Sequence, residues 1–587
     1  MSMFNREQDH LYDFDVIIVG SGVAGALAAW KLSTYRDYRI LLLEAGDNGI
    51  NAGQRVEFHH TMDRQGNRGD MFAPYLELAS RLMVPSPEKA AAPKPAPGQP
   101  FAEKYYDYKE TPDTFRAGYT RLVGGSTWAW RGNCPRFLPT DFRLKQSYGV
   151  GRDWPIDYDD LEDYYVEAES ELGVSGNHQE LDGLFGAHRS KRFPMPGQAL
   201  TYSDQLVKAR IDGKKVGDTT VAVTTTPQAR NSEPYDGRPA CEGHSNCIPL
   251  CPSHAKYDAT THLRRLARNK NVELRSGCVV TLLAKDNEGR VTQVHYKNWN
   301  APGMPETIVT APIVVVAANA IETPKLLLMS GLANSSDQVG RNLMDHIQWE
   351  VTALFEEPIY PFRGPQSVTA IESFRDGPFR SKRSGFRMTI GNDGWGRSGS
   401  PAKIIDNLLG TKTYGSALLA KASEQITKMI RLSFSTEMLP RPDNRVQVSS
   451  NVDPALKLPR PLITFGVDEY SKGGLTAGFE ASMALFELMK ATVVDAKAPV
   501  QPDGTVNWNT AAHIMGTCIM GSDPKDSVVD EWGRCHDHEN LFIVGSSVFA
   551  TAATANPTLT LAAITLRSVK EIHRQLRHGG RRYSFAS

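Results

Sequence analysis

Apolar residues at the start of the chain follow the pattern of a buried strand, a turn, a helix and a second strand. Residues 15–19 read DVIIV, a β-branched run of the kind that forms a buried parallel strand. Glycines break the pattern over 20–22, and residues 23–32 predict a helix of small residues. A second apolar run over 39–43 ends at Glu44. This order of elements predicts a βαβ unit and therefore an α/β domain of the Rossmann type.

Farther along the chain the apolar pattern returns and then changes. Residues 308–317 form another β-type run, residues 541–545 a short strand, and residues 559–576 an apolar-faced helix. Between residues 345 and 505, short β-type runs alternate with turns, and one helix is predicted near 473–491. We interpret this region as a mixed α+β insert, suited to a sheet that roofs a pocket.

The composition is that of a globular protein. Hydrophobic residues make up 40% and charged residues 22% of the 587 residues, a length at which two or more domains are expected. The 66 basic residues balance the 66 acidic ones, so no net charge favours nucleic acid or an anionic membrane. No apolar run reaches the roughly 18 residues of a membrane-spanning helix, and the polar N-terminal residues do not resemble a signal peptide.

Gly20, Gly22 and Gly25 match the spacing G-x-G-x-x-G directly after the first predicted strand. The first glycine permits a tight turn, the second lets the backbone approach a pyrophosphate, and the third allows the helix to pack closely on the strand. The helix N-terminus offers free N–H groups and a positive dipole to the phosphates. Glu44, at the end of the second strand, is expected to hydrogen-bond a ribose hydroxyl.

A second short signature lies near the other end of the chain. Gly545 and Ser546 stand at the end of the predicted strand 541–545. A cofactor that is contacted from both ends of the chain is expected to be long and deeply buried. This expectation favours FAD over a nicotinamide cofactor, which must leave in each turnover.

Two polar residues stand among apolar or small neighbours near the C-terminus. His513 lies in AAHIMGTCIMG and Asn556 in TATANPTLT. Each has an ordinary structural explanation, a satisfied core histidine and a turn before proline. Removal of hydride from an alcohol, however, needs a base for the hydroxyl proton and a group that fixes the oxygen, and histidine is the usual base near neutral pH. The two residues are therefore candidate catalytic groups.

These motifs resemble those of the glucose–methanol–choline (GMC) family of flavin oxidoreductases, in the family's order along nearly the whole chain. The resemblance implies an FAD domain assembled from separated segments and a substrate domain of mixed sheet and helices that roofs the flavin. It implies that His513 is the catalytic base and Asn556 its partner at the substrate oxygen. It also implies that Gly125 and Ser126 lie along the flavin and that the backbone of Val280 touches the adenine side. The matching stretches are VIIVGSGVAGALAA with LLLEAG, VGGSTWAW (123–130), VVVAANAIETPKLLLMSG, VGRNLMDH (339–346), HIMGTCIMG and LFIVGSSVFATAATANPTLTLAA.

The resemblance also divides the chain into two interleaved domains. A Pro/Ala-rich stretch at 84–100 is expected to be an extended loop inside the first FAD segment. The expected segments are 10–145, 236–345 and 506–578 for the FAD-binding domain, and 146–235 and 346–505 for the substrate domain.

Cys241, Cys247 and Cys251 are spaced C-x5-C-x3-C, and three interpretations of the cluster are open. A disulfide would leave one thiol over. Zinc would need a fourth ligand, which His244 or His254 could supply. An iron–sulfur cluster would be held by the three thiolates on a loop rich in turn residues.

Three further stretches carry a more specific likeness: 148–174, 229–252 and SDPKDSVVDEWGRCHDHENLF. Through them the chain resembles, within the GMC family, the catalytic subunits of bacterial FAD-dependent glucose and fructose dehydrogenases. This resemblance implies a three-iron (3Fe–4S) cluster on the cysteines, with a four-iron cluster and a non-cysteine ligand as the alternative. It implies a sugar or alcohol substrate, a cytochrome c subunit as electron acceptor and a small export or chaperone subunit. Membrane association through a partner would place the enzyme at the periplasmic side of the inner membrane, although a cytoplasmic location fits the N-terminus equally well.

The chain departs from these relatives beside the flavin. In the motif that corresponds to VGGSTWAW, the relatives have a histidine that can bond covalently to the flavin, whereas this chain has Ala129. A methyl group cannot form that bond, so we expect dissociable FAD. Residues 131–135 (RGNCP) replace a run of small residues, which indicates a different substrate preference.

The sequence therefore predicts an FAD-dependent dehydrogenase that oxidises a hydroxyl of a sugar or sugar derivative. Its electrons are expected to pass through an iron–sulfur cluster to a cytochrome c or an artificial acceptor. The alternative among enzymes is an oxidase that reduces oxygen to peroxide. A non-catalytic flavin electron-transfer subunit is a further alternative, which the presence of both His513 and Asn556 in their motifs disfavours.

Overall fold

The computed structural model of the chain describes residues 12–46, 105–391 and 401–582, apart from a few positions within these ranges. The Pro/Ala-rich stretch at 84–100 lies outside the described residues. The excepted positions are Glu110, Pro112, Ser245, Asn246, Pro249, Pro454 and Ala455.

Strands and helices alternate at both ends of the described chain, and strands dominate its middle. The strands are β1 (Val16–Val19), β2 (Ile40–Leu43), β3 (Asp107–Tyr108), β4 (Ser175–Gly176), β5 (Met195–Pro196), β6 (Lys215–Val216), β7 (Thr219–Thr220), β8 (Val223–Thr225), β9 (Val272–Arg275), β10 (Cys278–Lys285), β11 (Val291–Asn298), β12 (Glu306–Thr310), β13 (Ile313–Val316), β14 (Ile347–Leu354), β15 (Thr369–Ile371), β16 (Phe386–Gly391), β17 (Met429–Thr436), β18 (Arg445–Val452), β19 (Pro459–Thr464), β20 (Thr492–Asp495), β21 (Asn509–Thr510) and β22 (Leu541–Ile543). The helices are α1 (Val23–Tyr35), α2 (Pro139–Phe142), α3 (Leu144–Tyr148), α4 (Tyr158–Leu172), α5 (His178–Leu181), α6 (Tyr202–Ile211), α7 (Thr260–Leu266), α8 (Asn319–Ser330), α9 (Pro401–Gly410), α10 (Gly415–Lys428), α11 (Glu469–Met489) and α12 (Thr558–Arg582). Short 3-10 helices cover Gly125–Ala129, Pro378–Ser381 and Ser546–Val548.

A five-stranded parallel sheet, in the order β22-β13-β1-β2-β9, forms one layer of the fold. Val16 and Ile18 of the central strand β1 pack in one buried cluster, whereas Ile17 and Val19 pack in another. Because alternate side chains of a strand point to opposite faces, both faces of this sheet are buried, as expected for a parallel sheet. This sheet confirms the predicted α/β fold class.

A second, antiparallel sheet lies across the cavity described below. Its seven strands follow the order β20-β14-β17-β16-β15-β8, with β21 paired to β14. Helix α11 packs on β14 and β17. The parallel sheet thus takes its strands from 16–43, 272–316 and 541–543, and the antiparallel sheet from 223–225 and 347–510. The exact bounds of the FAD-binding and substrate domains remain a prediction from the sequence.

Several elements differ from the predicted ones, and the following differences lie in regions where a different pattern was predicted. The run 308–317 is divided between β12 and β13, which belong to different sheets and are separated by Ala311 and Pro312. Proline has no N–H for a ladder hydrogen bond, so it ends one strand before the next begins. Helices α9 and α10 were not predicted, although their apolar residues form a small separate cluster. Among the described residues, no helix is long and apolar enough to cross a membrane.

Candidate active site

A cavity of about 410 Å³ lies between the two sheets and is lined by residues from both ends of the chain. On the side of the parallel sheet it is bounded by the turn after β1 and by the end of β2. In open α/β sheets, ligands bind at the carboxyl ends of the strands, which is where this cavity lies. On the other side it reaches the antiparallel sheet and the segment that contains His513.

The glycine turn after β1 is shaped for a phosphate group. A methyl group built on Gly25 would lie 1.9 Å from the carbonyl oxygen of Gly20, so this position requires glycine for the close packing of α1 on the turn. A methyl group on Gly22 would meet no atom within 4 Å, and Gly22 lines the cavity. The backbone of the turn is therefore open toward the cavity, where a pyrophosphate could approach it together with the N-terminus of α1. This cradle fits FAD.

Glu44 lines the cavity at the end of β2, as predicted, but its carboxylate also organises the turn. Its Oε2 accepts hydrogen bonds from the backbone N–H and the hydroxyl of Ser21, at 2.8 and 2.7 Å, and its Oε1 accepts from the N–H of Gly46 at 2.7 Å. Burial raises the pKa of Glu44, against the lowering effect of these hydrogen bonds. Glu44 thus holds the glycine turn in place in addition to its predicted contact with a ribose.

The other predicted cofactor residues also line the cavity. They come from the 3-10 helix Gly125–Ala129, from β10 and from the turn after β22. A methyl group on Gly125 would lie 3.1 Å from the Cα atom of Gly22, so the two glycine-containing turns pack closely against each other at the wall of the cavity. The predicted residues in contact with the cavity are Gly20, Gly22, Glu44, Gly125, Ser126, Val280, Gly545 and Ser546, and Ala129 lines it as well.

A buried charged cluster beside the cavity was not predicted. Glu322 accepts hydrogen bonds from Tyr105 at 2.5 Å, from Arg121 at 2.7 Å and from Tyr119, and Lys325 lies 3.3 Å from its other oxygen. Burial alone would raise the pKa of Glu322, but the charges of Lys325 and Arg121 hold it well below its usual range. Nη1 of Arg121, a residue that lines the cavity, is a buried donor with no hydrogen-bond partner among the described residues. Arg121 lies between the carboxylates of Glu322 and Glu44, and its unpaired Nη1 offers a charged donor to an oxygen of the cofactor.

His513 and Asn556 meet in the same cavity, with Nδ2 of Asn556 3.2 Å from Nε2 of His513. The other ring nitrogen of His513, Nδ1, lies 2.8 Å from Nδ1 of His346. Nε2 of His346 lies 2.9 Å from the carbonyl oxygen of Ala553. The structure therefore adds a second histidine to the predicted pair, and this histidine comes from the stretch VGRNLMDH rather than from the C-terminal motifs.

The hydrogen bonds assign the protons of the two histidines. A carbonyl oxygen only accepts, so Nε2 of His346 must donate to Ala553, and Nδ1 of the neutral His346 ring must then accept. The proton in the short contact between the rings consequently belongs to Nδ1 of His513. Nε2 of His513 is then unprotonated, and its lone pair accepts a hydrogen bond from Nδ2 of Asn556 in the cavity. This is the tautomer that a base for a hydroxyl proton requires.

The surroundings keep His513 neutral and fixed. Burial lowers the pKa of His513 well below its ordinary value, and His346 lowers it further. Oδ1 of Asp345 accepts the backbone N–H groups of His346 and His513 at 2.7 and 2.8 Å. Ala512 and Ala553, which flank the histidines, both have positive φ angles of 56° and 57°. Strained alanine backbone of this kind persists only where surrounding structure enforces it, and it is typical of functional sites.

Hydroxyl and amide side chains from the antiparallel sheet line the far side of the cavity. They are Gln348 on β14, Thr389 on β16, and Ser433 and Ser435 on β17. The register places Gln348 opposite Ser435, and Thr389 opposite Ser433. These short polar side chains share one face of the sheet and suit a ligand that carries several hydroxyl groups.

All seven cysteines are free, so the disulfide interpretation of the cysteine cluster was wrong. The candidate fourth ligands of a zinc site have other partners, since His244 contacts Glu242 and His254 lies near Asp258. Among the described residues, no group of three or more Cys, His, Asp or Glu side chains is arranged to hold a metal ion. The cysteine loop nevertheless reaches the cavity, because Ile248 lines it. An iron–sulfur cluster therefore stays a proposal that rests on the chemistry of the three free thiols.

Several known proteins are similar to this chain in sequence or in fold. The chain is 34% identical over 575 residues to the fructose dehydrogenase large subunit of Gluconobacter japonicus, which covers 96% of this chain and 98% of that one. It is 26% identical to the 2-methyl-1,2-propanediol dehydrogenase of Mycolicibacterium austroafricanum, over 96% of this chain and 95% of that one. The crystal structure of pyridoxine 4-oxidase from Mesorbium loti has the same fold, with a TM-score of 0.61 and 18% identity over 96% of this chain and 99% of that one. Residues 14–348 match the N-terminal and residues 440–565 the C-terminal model of the GMC oxidoreductases. The chain belongs to the GMC oxidoreductase family, and this membership implies FAD as its cofactor.

Proposed function

We propose that this protein is an FAD-dependent dehydrogenase that oxidises a hydroxyl group of a sugar or sugar derivative, with His513 as the base. The observation that carries the proposal is the hydrogen-bond chain from Ala553 through His346 to His513, which leaves a neutral imidazole nitrogen beside Asn556 in the cavity. Glu44, the glycine turn and the 3-10 helix Gly125–Ala129 would hold the cofactor at the other end of that cavity.

The protein's own groups handle the proton of the reaction. Bound FAD supplies the acceptor for the hydride. Because Nε2 of His513 and Nδ2 of Asn556 are 3.2 Å apart, one hydroxyl oxygen can contact both. His513 removes the hydroxyl proton at Nε2, while the amide of Asn556 donates a hydrogen bond to the same oxygen. Both groups are positioned before the substrate binds, so little reorganisation opposes the reaction.

A sugar is the proposed substrate because of the polar sheet that faces the histidines. The side chains of Gln348, Thr389, Ser433 and Ser435 donate and accept hydrogen bonds without a net charge, which suits the hydroxyl groups of an aldose, ketose, polyol or glycoside. The names of the two dehydrogenase relatives, one for fructose and one for a diol, support oxidation of a hydroxyl group.

We also propose how the electrons leave. Cys241, Cys247 and Cys251 would bind an iron–sulfur cluster of the 3Fe–4S type. Such a cluster would supply a one-electron carrier for an external acceptor such as a cytochrome c. The relative named as a large subunit supports an assembly of several subunits. We extend the proposal to a small export subunit and a periplasmic site at the inner membrane, reached through these partners.

The replacement His513→Ala tests the catalytic proposal. The variant is expected to retain FAD and to lose most of its sugar-dependent dye reduction, because no base remains for the hydroxyl proton. His188→Ala, at an exposed histidine, is the control and is expected to behave as the unaltered protein. Near-normal turnover of His513→Ala would remove His513 from the mechanism.

The electron acceptor is tested separately. Anaerobic addition of sugars and polyols should bleach the flavin, and the absence of bleaching by any of them would contradict a substrate of this class. Dye reduction without peroxide formation is expected in air, whereas stoichiometric peroxide would identify an oxidase.

Iron and acid-labile sulfide analysis with EPR of the oxidised protein tests the cluster, and the absence of iron and sulfide would refute it.

A further inference from the structure

Gln348 lies on β14 and lines the same cavity as His513. His346 stands two positions before Gln348. The carbonyl oxygen of His346 accepts a hydrogen bond from the N–H of Ala511 at 3.1 Å, so the ladder with the neighbouring segment continues to this residue. Alternate side chains of a strand point to one face, and two residues span about 6.6 Å. The side chain of Gln348 therefore lies next to the His346 ring, on the same face.

The segment that carries His513 bulges beside β14. The register pairs Thr510 with Ile347 and Met515 with Met344. Between these two pairs the first segment contains residues 511–514 and the second only residues 345–346, so the extra residues form a bulge. A bulge redirects a side chain, and here the ring of His513 reaches the cavity that Gln348 lines.

The amide of Gln348 is held by the sheet and keeps one acceptor free. Its Nε2 donates a hydrogen bond to the hydroxyl of Ser433 on β17. No described residue donates a hydrogen bond to its Oε1, and the residue is only partly buried. An amide oxygen is a neutral acceptor with two lone pairs. Oε1 of Gln348 can therefore accept a hydrogen bond from a hydroxyl group of a ligand in the cavity.

The residues of β14 and β17 that line the cavity carry no charge. Ser435 lies opposite Gln348 in the register and also lines the cavity. Farther along the same two strands, Glu350 and Arg431 form an ion pair with each other, and neither of them lines the cavity. A neutral amide acceptor beside a hydroxyl group suits a second hydroxyl group of the substrate better than a carboxylate or an ammonium group.

We propose that Gln348 is a specificity-determining residue that binds the hydroxyl group on the carbon next to the oxidised one. The site then selects vicinal diols, the unit that sugars and polyols share. This inference rests on the proposed function. When the reacting oxygen lies between His513 and Asn556, the hydroxyl group on the adjacent carbon donates a hydrogen bond to Oε1 of Gln348. A simple alcohol leaves that acceptor without a donor, so its transition state is bound less tightly.

The test compares 1,2-propanediol with 1-propanol and 2-propanol, each of which lacks one of its two hydroxyl groups. The measurement is kcat/KM for reduction of an artificial acceptor by the full-length holoenzyme. The unaltered protein is expected to prefer the diol by about 3- to 10-fold, the worth of one hydrogen bond in a partly buried site. Gln348→Met, with an apolar side chain of similar length, is expected to lose most of this preference by slowing the diol and leaving the two alcohols unchanged.

Further variants control for a general disturbance of the site. Thr352→Val is the matched control, because Thr352 lies four positions farther along β14 and does not line the cavity. Gln348→Glu keeps an acceptor at the same reach and is expected to retain the diol preference. Gln348→Asn, whose amide is one methylene shorter, replaces Gln348→Met if that variant does not fold, with the same expected loss. FAD content and the unfolding temperature are measured for each variant.

An unchanged diol preference in folded Gln348→Met, or an equal loss in Thr352→Val, would overturn the inference. The same holds if the unaltered protein oxidises the alcohols as fast as the diol, or oxidises sugars but not the diol. Anaerobic bleaching of the flavin by sugars is measured on the same preparations. Its absence in the unaltered protein would refute the proposed sugar oxidation itself, whereas bleaching without any diol preference would refute only the role of Gln348.

Discussion

Replacement of His346 by leucine removes the group that holds the proton on Nδ1 of His513. In the structure this proton lies in a contact of 2.8 Å between the two rings, in a buried site. Without an acceptor, the ring can place its proton on Nε2, and the base then points away from the substrate. A buried donor that has lost its partner costs about 1–3 kcal/mol. At about 1.4 kcal/mol per tenfold change in rate, we expect kcat/KM to fall by about 5- to 150-fold.

The assay is steady-state reduction of an artificial electron acceptor by a sugar, together with the FAD content of each variant. His346→Leu is expected to retain FAD, since the His346 ring contacts His513 and Ala553. His346→Gln retains an amide oxygen that can accept the hydrogen bond from Nδ1 of His513. Its kcat/KM is therefore expected to lie between the values of His346→Leu and the unaltered protein. The control is His262→Leu, at a buried histidine that contacts Tyr257 and Glu171 instead of the site. Unchanged kcat/KM in His346→Leu, or an equal loss in His262→Leu, would refute the assignment of the proton.

Further predictions concern the cofactor and the base. Gly22→Ala is expected to lower FAD occupancy without lowering the unfolding temperature of the apoprotein, because its methyl group would enter the cavity. Gly25→Ala is expected to destabilise the fold by about 1–3 kcal/mol in thermal unfolding, since its methyl group would collide with the turn. Acid precipitation should leave the flavin in the supernatant because Ala129 cannot bond to it, and flavin in the precipitate would disprove this. Burial, and secondarily His346, holds the pKa of His513 well below its ordinary value, so kcat/KM should stay level as the pH falls from about 8 to about 6.5. A decline with an apparent pKa near 6.5 would contradict the low pKa.

The end of the cavity that contains the glycine turn could be predicted because its determinants are local in sequence. The spacing of Gly20, Gly22 and Gly25 after a β-branched run specifies a turn and a helix start without reference to the rest of the chain. The structure places Gly20 and Gly22 on the cavity wall and Gly25 behind them, against the carbonyl oxygen of Gly20. The strand at 308–317 was only partly predicted, because apolar periodicity does not show that Pro312 divides it between two sheets.

The end of the cavity that contains His513 could be predicted only in part, since its geometry depends on contacts between residues that are far apart in the sequence. His346 is separated from His513 by 167 positions, and the sequence gives no measure of how two such stretches meet. The same holds for Glu322, whose partner Arg121 lies 201 positions away. One signal was present in the sequence, because VGRNLMDH ends in an aspartate and a histidine within a stretch that already carried the family resemblance.

The structure narrows the interpretation of the cysteine loop, although the described part of the chain contains no group of side chains arranged to hold a metal ion. The spacing of Cys241, Cys247 and Cys251 indicates sulfur chemistry but leaves the type of centre open. The structure removes the disulfide and gives both candidate zinc histidines other partners. Arg230 donates a hydrogen bond from Nη1 to Sγ of Cys247, but the buried carboxylate of Asp204 is also within electrostatic range of this cation. Because a carboxylate already compensates the charge of Arg230, this arginine does not decide between thiols and thiolates, and the iron–sulfur proposal rests on the spacing of the three free cysteines.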